Sequence, residues 1–437
     1  MKKLLLHGSM ILIGCLFIAG CGSTQKSGMA EPLSAPKPNE PVTIRVGVSP
    51  KWLLDEEFSM YVAEPVKKKY PWITVVREPY GTGRSLTELV AIGETPDLVV
   101  QTNISGMPDF RKLQLLTPIT DLIKKHKLDL NQFEEEALDA LKMATQSNEL
   151  SGIPYTRHFS ALYYNKDIFD KFGVAYPKDG MTWDQVYELA KKLTRTDDGV
   201  QYRGLELAPT ERPSSQLSLP YVDANAKKAT LSTDSWKKVM QLAIKIHQIP
   251  GNEQITQHGA ADNLFTKNRT LAMHATINIL HEAKFESVPD LNWDVVSYPV
   301  WPEAPGLGMR IDEHSMMLSA TSKHKEEAFL VAATVASPDV QMELSRHGRF
   351  SILKDKGIRD SFGADLSFIK GKNIQAIYKT TPAKSFLPTE YDNTAMTAIN
   401  TALSDIVGKG VDLNTALRTA EETVNKKIQE LEASKGK

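Results

Sequence analysis

The sequence predicts an α/β protein of two domains, with mostly parallel sheets flanked by helices. Three observations carry this. Strand-like and helix-like segments alternate along the chain, the pattern of α/β layers. Leu98-Val99-Val100 is an unbroken apolar run, which suits a parallel strand covered on both faces. The 437 residues are enough for two hydrophobic cores.

The elements follow in order. Val42-Thr43-Ile44-Arg45-Val46-Gly47-Val48 alternates apolar and polar positions after a proline, as a first strand does. Phe58 to Tyr70 reads as a helix stopped by Pro71, and Ile73 to Val76 as a second strand. A polar helix around Leu86 to Ile92 leads to the Leu98 strand. Thr182-Trp183-Asp184-Gln185 is a capping box, and Val186, Leu189, Ala190 and Leu193 repeat behind it at helical spacing. Ala328, Phe329, Ala332, Ala333 and Ala336 form a similar face. Ser337-Pro338 follows as a cap with proline at the first helical position. Asp412 caps a tail helix lined by Leu413, Ala416, Leu417, Ala420, Val424 and Ile428. No sequence repeat of fixed period is present.

Ahead of the first strand, Lys2 and Lys3 precede a mostly apolar run from Leu4 to Ala19. The run is shorter than the ~20 residues of a membrane-spanning helix, so a secretory signal over residues 1–20 is expected. The order Leu16-Phe17-Ile18-Ala19-Gly20-Cys21 resembles a bacterial lipobox. That resemblance implies cleavage before Cys21 and a diacylglycerol on its thiol, against the alternative of an ordinary secretory signal with a fortuitous cysteine. Residues 21–41, rich in Gly, Ser, Lys and Pro without hydrophobic period, read as a flexible tether. A protein anchored by lipid on the cell membrane, facing outward, is expected.

Composition narrows the function. Cys15 and Cys21 are the two cysteines, so a processed domain has neither disulfide nor free thiol. The formal charge is −1, and loss of Lys2 and Lys3 takes it to −3. So balanced a surface argues against nucleic acid. Gly81-Thr82-Gly83-Arg84-Ser85 lacks the spacing of a nucleophile elbow, dinucleotide loop or phosphate loop. His281-Glu282 begins like a zinc-protease helix, but Phe285 stands at the second histidine position. No catalytic residue, cofactor or metal is expected.

The order of segments resembles the extracellular solute-binding proteins of ABC importers, the maltodextrin-binding-like group 1 class. The resemblance covers nearly all of the chain after the tether. Its most specific block is Gly152-Ile153-Pro154-Tyr155, Ala161 to Phe169, Phe172-Gly173-Val174, Pro177 and Thr182-Trp183. Thr95-Pro96-Asp97-Leu98, Phe265 to Met273, Val295 to Pro299 and Lys325 to Leu344 also match. It implies a two-lobed periplasmic-binding-protein-like fold with a ligand cleft between the lobes, closing by hinge motion. Lobe one is expected over 42–157 and 312–348, lobe two over 158–311 and 349–437. About three crossings between lobes follow.

The implied function is capture of a carbohydrate, an oligosaccharide, by a monomer that delivers it to ABC permease subunits. A surface-tethered glycan hydrolase and a ligand sensor on the same fold are the alternatives. Ligands in such sheets sit beyond the carboxyl ends of strands, which nominates Trp52, Arg84, Asn103, Tyr155, Arg157, His158, Asn278, Asp312, His314 and Arg349. Trp52 and Tyr155 offer faces for sugar rings. Trp183 is expected to be structural, and Trp301 to line the cleft rim or pack a loop. Where sugar-binding members carry tryptophans, this chain places Arg84 and Arg310 to His314. Because a guanidinium grips a carboxylate bidentately, an acidic saccharide such as a uronate oligomer is an attractive ligand.

Overall fold

The computed structural model describes residues 40–49, 52–81, 83–104, 106–207, 210–255, 257, 259–280 and 285–435. The leader, Cys21, the tether up to residue 39, Pro50, Lys51, Thr82 and His281-Glu282 lie outside the described residues. The folded body begins at Pro41.

Two main sheets organise it. Their strands along the chain are β1 (Val42–Val48), β2 (Ile73–Pro79), β3 (Leu98–Thr102), β4 (Gly152–Arg157), β5 (Ser160–Asn165), β6 (Glu206–Leu207), β7 (Met273–Ile277), β8 (Trp293–Ser297) and β9 (Glu313–Leu318). The first lobe's sheet runs β2-β1-β3-β9-β4, the second's β8-β5-β7-β6. β1 pairs in parallel with β2 and β3, and β7 with β6. β9 is antiparallel to β3 and β4, and β5 is antiparallel to β7 and β8.

The sheets are therefore mixed, where mostly parallel ladders are expected from the sequence. The reason is topological. β5 and β9 are the strands that start at a lobe crossing, and each is inserted in the middle of its sheet, reversing the ladders on both sides. All the others run towards the crossings. The carboxyl ends of β1, β3 and β4 in one lobe and of β6, β7 and β8 in the other so face the same zone.

Helices close the layers much as patterning predicts. The first runs from Asp55 to Lys69 with a π-helical turn at Ser59–Ala63. Thr182 caps helix Trp183–Leu193, its hydroxyl accepting from Gln185 N at 3.3 Å while Gln185 accepts from Thr182 N at 2.8 Å. Asp412 accepts from Thr415 N at the start of the tail helix, Leu413–Lys435. Ser337 departs from expectation: its hydroxyl donates back to Thr334 O rather than capping helix Pro338–Arg346.

One apolar core lies in the first lobe, around Ile44, Val46, Val99, Phe110, Met316 and Phe329. In the second lobe, one cluster gathers Leu162, Phe169, Trp183 and Tyr298, and another Phe159, Tyr163, Phe285 and Trp293. Helices Asp392–Lys409 and Leu413–Lys435 pack with Trp236 and Met240 as a helical annex.

The tail assignment needs a correction. Residues from Arg349 onward are expected in the second lobe, yet Ile352, Leu353 and Ile358 fill the first core. Glu134 N bonds Ile352 O, Lys354 N bonds Gln132 O, and Ser345 Oγ bonds Ile358 O. These apolar side chains close the gap beside helix Pro338–Arg346 before the chain reaches Phe362 in the second lobe's core. Among the described residues, no helix is long and apolar enough to cross a membrane.

Candidate functional site

Where the lobes meet, three chain segments lie side by side. His158 N donates to Asp312 O at 2.8 Å, and Arg157 N and Thr156 Oγ1 both donate to Phe350 O. This web fixes the floor of the site, since strand ends aimed at it are tied to one another by backbone bonds.

Five of the nominated residues cluster there. The ring of His314 lies 5.5 Å from Trp52, 5.3 Å edge-on from His158 and 6.4 Å from Tyr155. Trp52 is half-buried at the end of β1, and Asp312 stands one residue before β9. Tyr155 is buried beneath the histidine, with no hydrogen bond to its hydroxyl among the described residues. Burial, with the positive charges of Arg212 and Arg349, pushes the His158 imidazole down to about 3. Burial likewise pushes His314 to about 3, helped by His158 and Arg349. Both rings are thus neutral at ordinary pH, each with one donor and one acceptor nitrogen. His314 Nδ1 takes no hydrogen bond among the described residues.

The other nominated residues serve the framework. Arg349 grips Glu57 bidentately, Nε–Oε1 and Nη2–Oε2 both at 2.8 Å. Arg157 pairs with Glu134, bonds the His158 carbonyl and stacks 3.8 Å above Phe350. Arg84 is half-exposed and pairs at 2.5 Å with Glu78, which also holds Arg45. Asn103 donates to Ile311 O at 3.0 Å and accepts from Glu313 N at 2.9 Å, clamping the start of β9. Asn278 donates to Gly348 O and accepts from Leu280 N. Arg84, Arg157 and Arg349 therefore already carry internal carboxylates, so Arg84, one of the two arginines behind the expectation of an acidic ligand, is taken. Trp183 and Trp301 are both buried, their indole N–H groups donating to Gln216 Oε1 and Pro213 O, so both pack structure.

Sequence reasoning passed over Arg212, and it used Arg310 in the expectation of an acidic ligand without nominating it as a contact. The Arg310 guanidinium lies 4.0 Å over Phe386, with Asp392, Asp312 and Glu211 close enough to bear on its charge. Arg310 and Asp312 border a small cavity with His158 and Ile277. Ile277 is shared with a larger hollow of about 550 Å³ in the second lobe, which Arg212 also lines. Its wall includes Thr397, Asn400, Thr401 and Ser404 of helix Asp392–Lys409. That polar i, i+3, i+4, i+7 stripe, opposite buried Ala395, Ile399 and Ala402, is a legible signal of a helix facing a wet cavity.

The arrangement suits recognition more than reaction. An aromatic face, two neutral imidazoles and charges of both signs can hold an uncharged polar molecule, and no group of three or more His, Cys, Asp or Glu among the described residues could hold a metal.

Comparison with known proteins gives the family. The profile of a family described as bacterial extracellular solute-binding protein matches residues 53–342, about two thirds of the chain. The sn-glycerol-3-phosphate-binding periplasmic protein of Agrobacterium fabrum is 32% identical over 78 residues, 18% of each chain. The chain thus spans well under two thirds of that relative's length. An ABC substrate-binding protein of Listeria monocytogenes, solved in complex with cycloalternan, superposes with a TM-score of 0.72 at 19% identity. It covers 89% of this chain and all of its own. The sugar-binding protein MalE of Xanthomonas citri gives 0.70 at 17% identity, covering 91% and 100%. Both are two-lobed binding proteins. With the family profile matched over most of its folded body, this chain belongs to the bacterial extracellular solute-binding proteins.

Proposed function

We propose that the protein captures an uncharged oligosaccharide in the cleft between its lobes and hands it unchanged to the membrane subunits of an ABC importer. The observation that carries this reading is the cluster of Trp52, His158 and His314 beside Arg310 and Asp312. The indole supplies a face for sugar C–H groups. The neutral imidazoles donate and accept hydrogen bonds without selecting for charge. The charges of Asp392, Asp312 and Glu211 bear on Arg310, and Arg84, Arg157 and Arg349 are occupied, so an anionic sugar gains little here. The cycloalternan bound in one similar structure and the description of another as sugar-binding support the ligand class. No step of chemistry is needed, because binding has only to favour the closed arrangement over the open one.

A thermal-shift screen tests the function. Neutral oligosaccharides are expected to raise the melting temperature with concentration, as any ligand of the native state does, and uronates to have little effect. Stabilisation by peptides or metals alone overturns the carbohydrate reading, and turnover of the stabilising sugar overturns the binding-protein reading with it.

In the same proposal a diacylglycerol on Cys21 holds the protein, as a monomer, on the outer face of the cell membrane. The lipobox order and the polar tether support this. Cys21→Ser is expected to release the protein from the membrane fraction; unchanged fractionation and mass overturn the anchor.

A further inference from the structure

Among the described residues, the hollow of about 550 Å³ is lined by second-lobe residues, so it is more than the gap between two lobes. Its size falls within the ~300–1,000 Å³ of small-molecule sites. Leu207, Ile277, Ile279 and Leu403 give it an apolar side. At its wall stands Glu206, 5% exposed, whose Oε2 takes no hydrogen bond among the described residues. Its nearest charged partner is Arg203, at 3.8 Å from Oε2. A buried carboxyl held only by so long an ion pair still lacks hydrogen bonds, which a ligand in the hollow can supply. Beside it, His274 spans Glu206 O and Asp262 Oδ1, at 3.3 and 3.0 Å.

We infer that this hollow is a side pocket of the binding site that takes the terminal ring of the captured oligosaccharide, with Glu206 hydrogen-bonding one of its hydroxyls. The inference rests on the carbohydrate reading above and adds where the end of the chain goes. Connection to the cleft is on the page: Ile277 borders both cavities, and Arg212, on the hollow's wall, bears electrostatically on His158. An uncharged ring fits best. A carboxylate or phosphate entering here meets Asp262, and an ammonium meets Arg212. Burial holds the Glu206 carboxyl up at about 8, despite Arg203 nearby, so it is a neutral acid able both to donate and to accept. Hydroxyl and amide groups of Thr210, Asn400 and Ser404 complete the polar side.

Titration calorimetry with neutral oligosaccharides of one to four rings tests it, using the full-length protein. Affinity is expected to rise sharply at the length that reaches the hollow. Thr401→Trp, at an exposed rim position, is expected to abolish that increment while leaving shorter ligands unaffected. Glu206→Leu is expected to weaken the longer ligands about tenfold, the effect of one lost buried hydrogen bond, and Glu206→Gln to stay close to wild type. Circular dichroism melts establish that each variant is folded. Identical length profiles in wild type and Thr401→Trp overturn the side pocket but leave carbohydrate capture standing. Failure of every saccharide to bind wild type overturns the carbohydrate reading itself, and the side pocket falls with it.

Discussion

Trp52 and Asn103 show how far residue type alone carries a site. Both were nominated because they follow strands of the first sheet. Trp52 is half-buried against His314 with ring surface still exposed, whereas the Asn103 amide is spent on Ile311 O and Glu313 N. The two therefore respond differently to truncation. Trp52→Ala is expected to lower ligand affinity about tenfold, in line with an aromatic contact of ~1 kcal/mol beyond its burial, and to leave the melting temperature nearly unchanged. Asn103→Ala strands two buried backbone groups and is expected to cost ~2 kcal/mol or more of stability. Calorimetric titration beside thermal melts separates them; similar stability losses in both overturn the distinction. The same logic explains the arginines. A sequence shows that Arg157 and Arg349 lie at crossings, but Glu134 and Glu57, which neutralise them, are 23 and 292 residues away in the chain. Whether a charge faces a ligand or a partner is decided by tertiary contacts that no local pattern records.

Elements were legible wherever a segment was long enough to show its period. Helix Trp183–Leu193 carries its capping box and apolar stripe in eleven residues, and the structure places both as expected. β3 is buried at all five positions, as its unbroken apolar run requires. The directions of β5 and β9 were not legible, because strand direction depends on the lobe from which the chain arrives. β6 is only two residues long, too short for alternation to register, yet it carries Glu206 and leads to Arg212. Gly204, just before it, is a further sign of close packing. A Cβ there comes within 2.1 Å of Ala190 O, so only glycine lets this edge strand lie against helix Trp183–Leu193. The wall of the hollow was hidden for the same reason. It joins a two-residue strand to a helix nearly 200 positions later, and only their packing makes a cavity.

At the scale of the whole molecule, the two-lobed α/β architecture followed from segment order, while the return of residues 351–358 to the first core did not. That return ties the lobes more closely, and it sets the buried histidines and acids of the crossing zone and the hollow inside one folding unit. Their titration therefore shapes overall stability, with opposite signs. His314 falls to about 3 in the native state from an ordinary value near 6.5, chiefly by burial. Between those values the unfolded chain binds a proton that the native protein does not, so the contribution is present above pH ~6.5 and lost as pH drops towards 3. Glu206 rises to about 8, again by burial. From its unfolded value near 4.5 up to 8 the native protein keeps a proton that the unfolded chain releases, so stability from this group is lost as pH increases through that window. Melting temperatures of wild type, His314→Gln and Glu206→Gln between pH 4 and 9 check both signs. Relative to wild type, His314→Gln is expected to gain as pH falls below 6.5, and Glu206→Gln to gain as pH rises from 5 to 8. Three parallel curves would mean that neither group is held in its neutral form by the fold, and the neutral character assigned to the cleft and to its side pocket would go with it.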